Sequence, residues 1–167
     1  GARGGNLLDG AAPFYDTYET ADGRFVSLAA LEPKFFATLA AALGLDERFV
    51  KRQYDRRTWP EMREAIAAAV RRHTRDEWCT RLEGTDACFA PVLDFDEAPA
   101  HRHARERGAF VEIDGVVQPG PAPRFDRTPA GAPRSTPAAG AHTDELLAEA
   151  GFDAAAVAAL RAQGVVR

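Results

Sequence analysis

The chain has 167 residues and a formal net charge of −4, long enough for an ordinary domain with a genuine core. No basic stripe with interleaved aromatics is present, which argues against nucleic acid as a partner. No apolar run approaches the roughly 20 residues that a membrane span needs, and arginine so outnumbers lysine (Lys34 and Lys51 only) that the bias carries no mechanism.

The first residues, "GARGGNLLDGAAP", contain no methionine and lead through glycines into a strand signal. They read as the start of a chain cut out of something longer. "FYDTYET" at 14–20 and "RFVSLAA" at 24–30 are β-prone runs joined through Asp22-Gly23, the signature of a hairpin. Glu32-Pro33 then precedes "KFFATLAAALG". Proline suits a first helical turn and Gly44 is placed to end the helix. Phe35, Phe36, Leu39 and Leu43 recur at helical spacing and predict its buried face.

Two capping boxes are expected next, Thr58 to Glu61 and Thr74 to Glu77, each opening a helix. "ACFAPVL" at 87–93 predicts a strand that Pro91 confines to an edge or end. A short helix is expected over 96–108, and a second hairpin over 109–118, turning at Asp114-Gly115. Residues 119–142 are rich in Pro, Gly, Ala and Ser, a composition that predicts an extended strap. Order returns in a helical tail, with Thr143 capping one short helix, Gly151 ending it and Asp153 starting another. The expected organisation is a small α+β domain over 1–118, a strap over 119–142 and a tail over 143–167.

Chemistry-bearing clusters are sparse. Cys79 and Cys88 lack CxxC spacing and predict neither a disulfide framework nor a zinc site. With no signal-peptide pattern at the front, a reducing cytoplasm is the default location. His101 and His103 form an HxH, but positions two apart on a helix do not share a face and no third ligand is signposted, so no metal is expected. "RFDR" at 124–127 is expected to pin the strap by ion pairs. Glu32 stands apart. Glutamate is a poor N-cap, so this residue reads either as an architectural acid at a helix start or as part of an acid/base pair.

"RGGNLLDGAAPFYDTYETADGRFVSLAALEPKFFATLAAALGLD" resembles the α-methylacyl-CoA racemases of the family III CoA-transferase superfamily. "DACFAPVLDFDEA", "PAPRFDRTP" and "HTDELLAEAGF" are similar to that family's later landmarks. The resemblance implies the small α+β domain of a family III CoA-transferase fold, antiparallel hairpins packed with helices, with a strap and tail that dock on a large domain absent here. It also implies an interlocked homodimer in the intact protein, an acyl-CoA thioester as substrate, and no cofactor. The implied reaction inverts the α-carbon of a 2-methylacyl-CoA through an enolate-like intermediate. Glu32, within "LEPKF", matches a glutamate that hydrogen-bonds a catalytic histidine of the other subunit. Tyr15, Leu31 and, more weakly, Leu8 match positions lining the acyl pocket; Tyr15 reads equally as a hairpin core residue. Where many relatives carry two glycines after "LD", this chain has Gly10-Ala11. No histidine here matches the catalytic one, so the fragment alone is expected to be inactive. Two rival readings are a CoA-transferase small domain and a non-catalytic dimerisation or lid module.

Overall fold

In residues 15–29, aromatic and β-branched side chains alternate with polar ones, which suits a sheet with one buried face. The computed structural model describes residues 4–131 and 133–167; the first three residues of the glycine-rich lead and position 132 of the strap lie outside them. Strand β1 (Tyr15–Glu19) pairs antiparallel with β2 (Phe25–Ala29), setting Tyr15 opposite Ala29 and Thr17 opposite Ser27. Gly23 turns the hairpin at φ +73°, a conformation costly for any residue with a Cβ. Strand β3 (Phe89–Pro91) joins the free side of β2, so Pro91 sits on an edge where its missing N–H costs nothing.

Helix α1 (Pro33–Leu43) starts at its proline and stops at Gly44, which adopts the left-handed conformation. Phe36, Leu39 and Leu43 are buried and Phe35 is half-buried, the face its spacing predicts. Helices α2 (Glu47–Lys51), α3 (Trp59–Val70) and α4 (Arg75–Leu82) complete the first unit. The core lies between these helices and the inner face of the sheet, where Tyr18, Val26 and Leu28 point. Phe14 is fully buried within it, its ring 5.4 Å from those of Phe36 and Tyr54 and 5.9 Å from Trp59. Both indole N–H groups find acceptors, Trp59 on the Gln53 carbonyl and Trp78 on that of Val70, each at 2.8 Å.

Of the two expected capping boxes, one forms. Thr74 accepts from the Glu77 amide at 3.3 Å while the Glu77 carboxylate accepts from the Thr74 amide at 2.8 Å. Thr58 makes no such cap. It closes a short 3₁₀ turn over Arg56–Thr58, already has helical backbone angles, and donates to the Asp55 carbonyl at 2.9 Å instead. A residue with helical angles cannot turn its side chain back onto the helix start.

The chain separates into two compact units, one ending at Ala98 and the other beginning at Pro99. The hairpin over 109–118, grouped above with the first domain, falls within the second unit. The expected helix over 96–108 is broken at His101 into α5 (Glu97–Ala100) and α6 (Arg102–Glu106). Strands β4 (Phe110–Ile113) and β5 (Val116–Pro119) form the hairpin, with Asp114 and Gly115 both at positive φ. Residues 120–131 and 133–138 have no regular secondary structure. There Arg124 donates to the Gly108 carbonyl at 2.6 Å, so among the described residues "RFDR" pins the strap through a backbone acceptor rather than through an ion pair.

The tail forms α7 (Thr143–Glu149) and α8 (Ala154–Ala162), tied by Arg161 to Asp144 at 2.8 Å. Thr143 is the first helical residue rather than the cap, a place His142 takes, whereas Asp153 caps α8 by accepting from the Ala156 amide. The architecture is α+β. Among the described residues no helix is long and apolar enough to cross a membrane.

Candidate active site

β2 ends at Ala29 and α1 begins at Pro33, so Glu32 stands in the short connection between the sheet and the helix. This connection is braced from both sides. The Ala30 amide donates to the Phe14 carbonyl at 3.0 Å. The Gln53 amide group donates to the carbonyls of Ala30 and Leu31 at 3.1 and 2.8 Å, and the Tyr54 hydroxyl reaches the Leu31 carbonyl at 2.6 Å. The backbone on which Glu32 rides is therefore held by a buried glutamine and a tyrosine from beyond α2.

The Glu32 side chain contrasts with that brace. It occupies the N-cap position with extended backbone angles, yet makes no capping hydrogen bond. It is exposed, and among the described residues its carboxylate has no hydrogen-bond or ion-pair partner. An exposed acid on a rigid mount can accept a hydrogen bond from a group brought to it. Cys88, at φ +50° just before β3, lies near enough to respond to it. Burial pushes the Cys88 thiol up, and the nearby charges of Glu32 and Asp86 push it further. Both effects disfavour the thiolate, the reactive form of the thiol.

Tyr15 and Leu8 come together in an open groove of about 250 Å³ on the outer face of the sheet. Its floor is the pairs Tyr15–Ala29 and Thr17–Ser27, and one wall is the turn Leu7–Ala11. Asp9 shapes that turn, accepting from the Asn6 amide at 2.6 Å and the Asn6 side chain at 2.8 Å. Leu31 does not line the groove. It is half-buried against the core, two residues beyond Ala29. A larger hollow of about 370 Å³ lies at the opposite end of α1. Its charged groups are already engaged, Arg48 with both Asp46 and Glu61 and Arg72 with the Leu43 and Ala69 carbonyls, and nothing predicted for the site falls there.

Arg63, Asp16, Gln53 and Tyr54 shape this region, and none is signalled by local pattern. Asp16 interrupts an aromatic run and Arg63 is one of many helix arginines; only the folded chain brings them together. Tyr18 stands beside them with its hydroxyl donating to the Pro13 carbonyl at 2.6 Å, and burial pushes that hydroxyl well above the ordinary tyrosine range.

The sequence matches CoA-transferase family III over residues 1–143. The chain belongs to that family. It is 44% identical to the α-methylacyl-CoA racemase of Mus musculus over 167 residues, covering 98% of this chain and 44% of the relative. Against the Homo sapiens α-methylacyl-CoA racemase the identity is 45% over 152 residues, covering 90% of this chain and 40% of the relative. The chain thus spans about two fifths of the length of these relatives. In structure it is similar to a CaiB/BaiF family protein from Brucella suis, with TM-score 0.59 and 21% identity, covering 81% of this chain and 37% of that one. That likeness speaks to the fold of this family III member alone.

Proposed function

We propose that the chain supplies the small-domain share of an α-methylacyl-CoA racemase, with Glu32 as a positioning acid for a histidine carried elsewhere in the enzyme. The carrying observation is the Glu32 carboxylate, exposed and, among the described residues, unpartnered on a braced backbone. The identity to two racemases supports the same assignment.

The reaction removes a proton from the α-carbon of a 2-methylacyl-CoA thioester and returns it on the opposite face, so two acid/base groups must flank that carbon. Glu32 accepts the N–H of one, the imidazole, fixing its tautomer and stabilising the imidazolium formed when it takes the proton. Leu8 and Tyr15 offer the acyl chain an apolar surface beside that centre, and Leu31 supports the connection from the core side. A proton transfer of this kind calls for no cofactor. The missing partner is a large domain that carries the histidine, in an interlocked homodimer, and this chain alone is inactive.

The test measures exchange of the α-proton of a 2-methylacyl-CoA with deuterated water in the whole enzyme. Positioned acid/base groups contribute typically 10²–10⁴-fold, so Glu32→Gln is expected to lose a large part of about that factor. An unchanged exchange rate in the variant, or CoA transfer between carboxylic acids in place of exchange, overturns the proposal.

A further inference from the structure

We propose that Arg63 is a positioning residue that sets the width of the groove between Leu8 and Tyr15, and so the acyl chains the enzyme prefers; this rests on the racemase reading above. Arg63 projects from α3 and divides its donors between the turn that forms the wall and the strand that forms the floor. Its Nη2 donates to the carbonyls of Gly10 at 2.6 Å and Ala11 at 3.0 Å, in the turn that carries Leu8. Its Nη1 donates to the carboxylate of Asp16, the residue after Tyr15 in β1. Asp16 is itself fixed, its Oδ1 accepting from the Thr17 amide at 2.8 Å.

Packing holds the ends of this wall, where Leu7 and Ala11 lie against the core, but not the residue that faces the groove. Leu8 is 59% exposed, so no core contact decides where it stands. The backbone of the turn is also unusual, with Gly10 at φ +97°. A Cβ at that position would lie 3.5 Å from the Asp16 carboxylate, an ordinary contact, so the demand for glycine comes from the backbone angle rather than from space. The guanidinium therefore adds to the packing of Leu7 and Ala11 a polar tie at the middle of the turn, beside Leu8. Its planar fork spans three acceptors at once; the ammonium of a lysine keeps the charge but not the span.

The experiment compares wild type, Arg63→Lys and Asp16→Asn in the whole enzyme, with a short and a long 2-methylacyl-CoA as paired substrates and deuterium exchange as the readout. A wall displaced by one methylene is worth 10-fold or more in discrimination, so the ratio of kcat/KM for the two substrates is expected to shift by about tenfold in Arg63→Lys. The shift is expected mainly in KM, with a smaller change in the same direction for Asp16→Asn. If Arg63→Lys fails to fold, Asp16→Asn carries the test, since it takes the charge from one anchor and leaves the two carbonyl bonds. Variants that alter both substrates by one common factor, or neither, overturn the inference and leave the racemase reading standing. A wild-type enzyme that exchanges neither substrate overturns that reading, and the inference with it, before any variant is made.

Discussion

Arg75 and Glu97 meet as a fork, with Nη1 and Nη2 of the arginine at 2.7 and 2.6 Å from the two carboxylate oxygens. Arg75 is 6% exposed, and its remaining hydrogen bond from Nη1 goes to the Val92 carbonyl at 2.9 Å. Glu97 also takes Arg24 and the Asp94 amide, so one carboxylate gathers the β1–β2 turn, the start of α4 and the segment after β3.

The first prediction concerns this pair. The Arg75 guanidinium, then the Asp94 amide, hold the Glu97 carboxyl down at about 2 against an ordinary value of 4.5. A depressed folded value means a contribution present above pH 4.5 and lost as pH falls toward about 2. Glu97→Gln is expected to lower the melting temperature at neutral pH, because the buried Arg75 keeps only the exposed Asp76, 3.7 Å from its Nε, as a counter-charge. The gap between variant and wild type should narrow across that acid window. Thermal unfolding followed by circular dichroism from pH 7 to pH 2 checks both; a gap independent of pH refutes it.

A second prediction separates the two residues that brace the Glu32 connection. Gln53→Leu leaves the Ala30 carbonyl without the Gln53 donor and is expected to cost about 1–3 kcal/mol. Tyr54→Phe leaves the Leu31 carbonyl its bond from Gln53 and should cost about 1 kcal/mol or less. Urea denaturation with unchanged m-values measures both, and equal costs count against the division of labour drawn here.

The capping contrast yields a third. Thr74→Ala removes a formed N-cap and is expected to cost about 1 kcal/mol. Thr58→Ala removes a hydroxyl that donates to the Asp55 carbonyl and, at 3.4 Å, to that of Arg52, and should cost clearly less, although both threonines stand three residues before a glutamate. The same denaturation series decides between them.

Thiol chemistry reports on Glu32 without reference to catalysis. Burial, chiefly, pushes Cys79 to about 11, and burial with Glu32 and Asp86 raises Cys88. Both cysteines should react slowly with a disulfide reagent at pH 8. Glu32→Gln removes a charge that opposes the Cys88 thiolate, so Cys88 is expected to react severalfold faster while Cys79 keeps its rate. Labelling with mass-spectrometric assignment of each site checks this, and equal acceleration at both contradicts it.

These contacts mark where sequence pattern stops being informative. Both hairpins, the start of α1 at Pro33, its stop at Gly44 and the edge placement of Pro91 were legible in advance. Each is decided by backbone angles or by a missing donor within a few residues. Thr58 and Thr74 show the limit even at short range. The same motif caps one helix and not the other, because a 3₁₀ turn had already taken Thr58 into helical angles.

Glu32 could be singled out from its neighbours in the chain, as could Tyr15 and Leu8 by resemblance. Their surroundings could not. Arg63 reaches Asp16 across 47 residues and Gln53 reaches Leu31 across 22, and Cys88, just before β3, comes near enough to Glu32 to feel its charge. Local conformational preference determined the elements by itself. Tertiary structure alone chose which arginine, glutamine and cysteine meet the groove and the Glu32 connection, since those pairings depend on how the helices and β3 return to the sheet and bury its inner face.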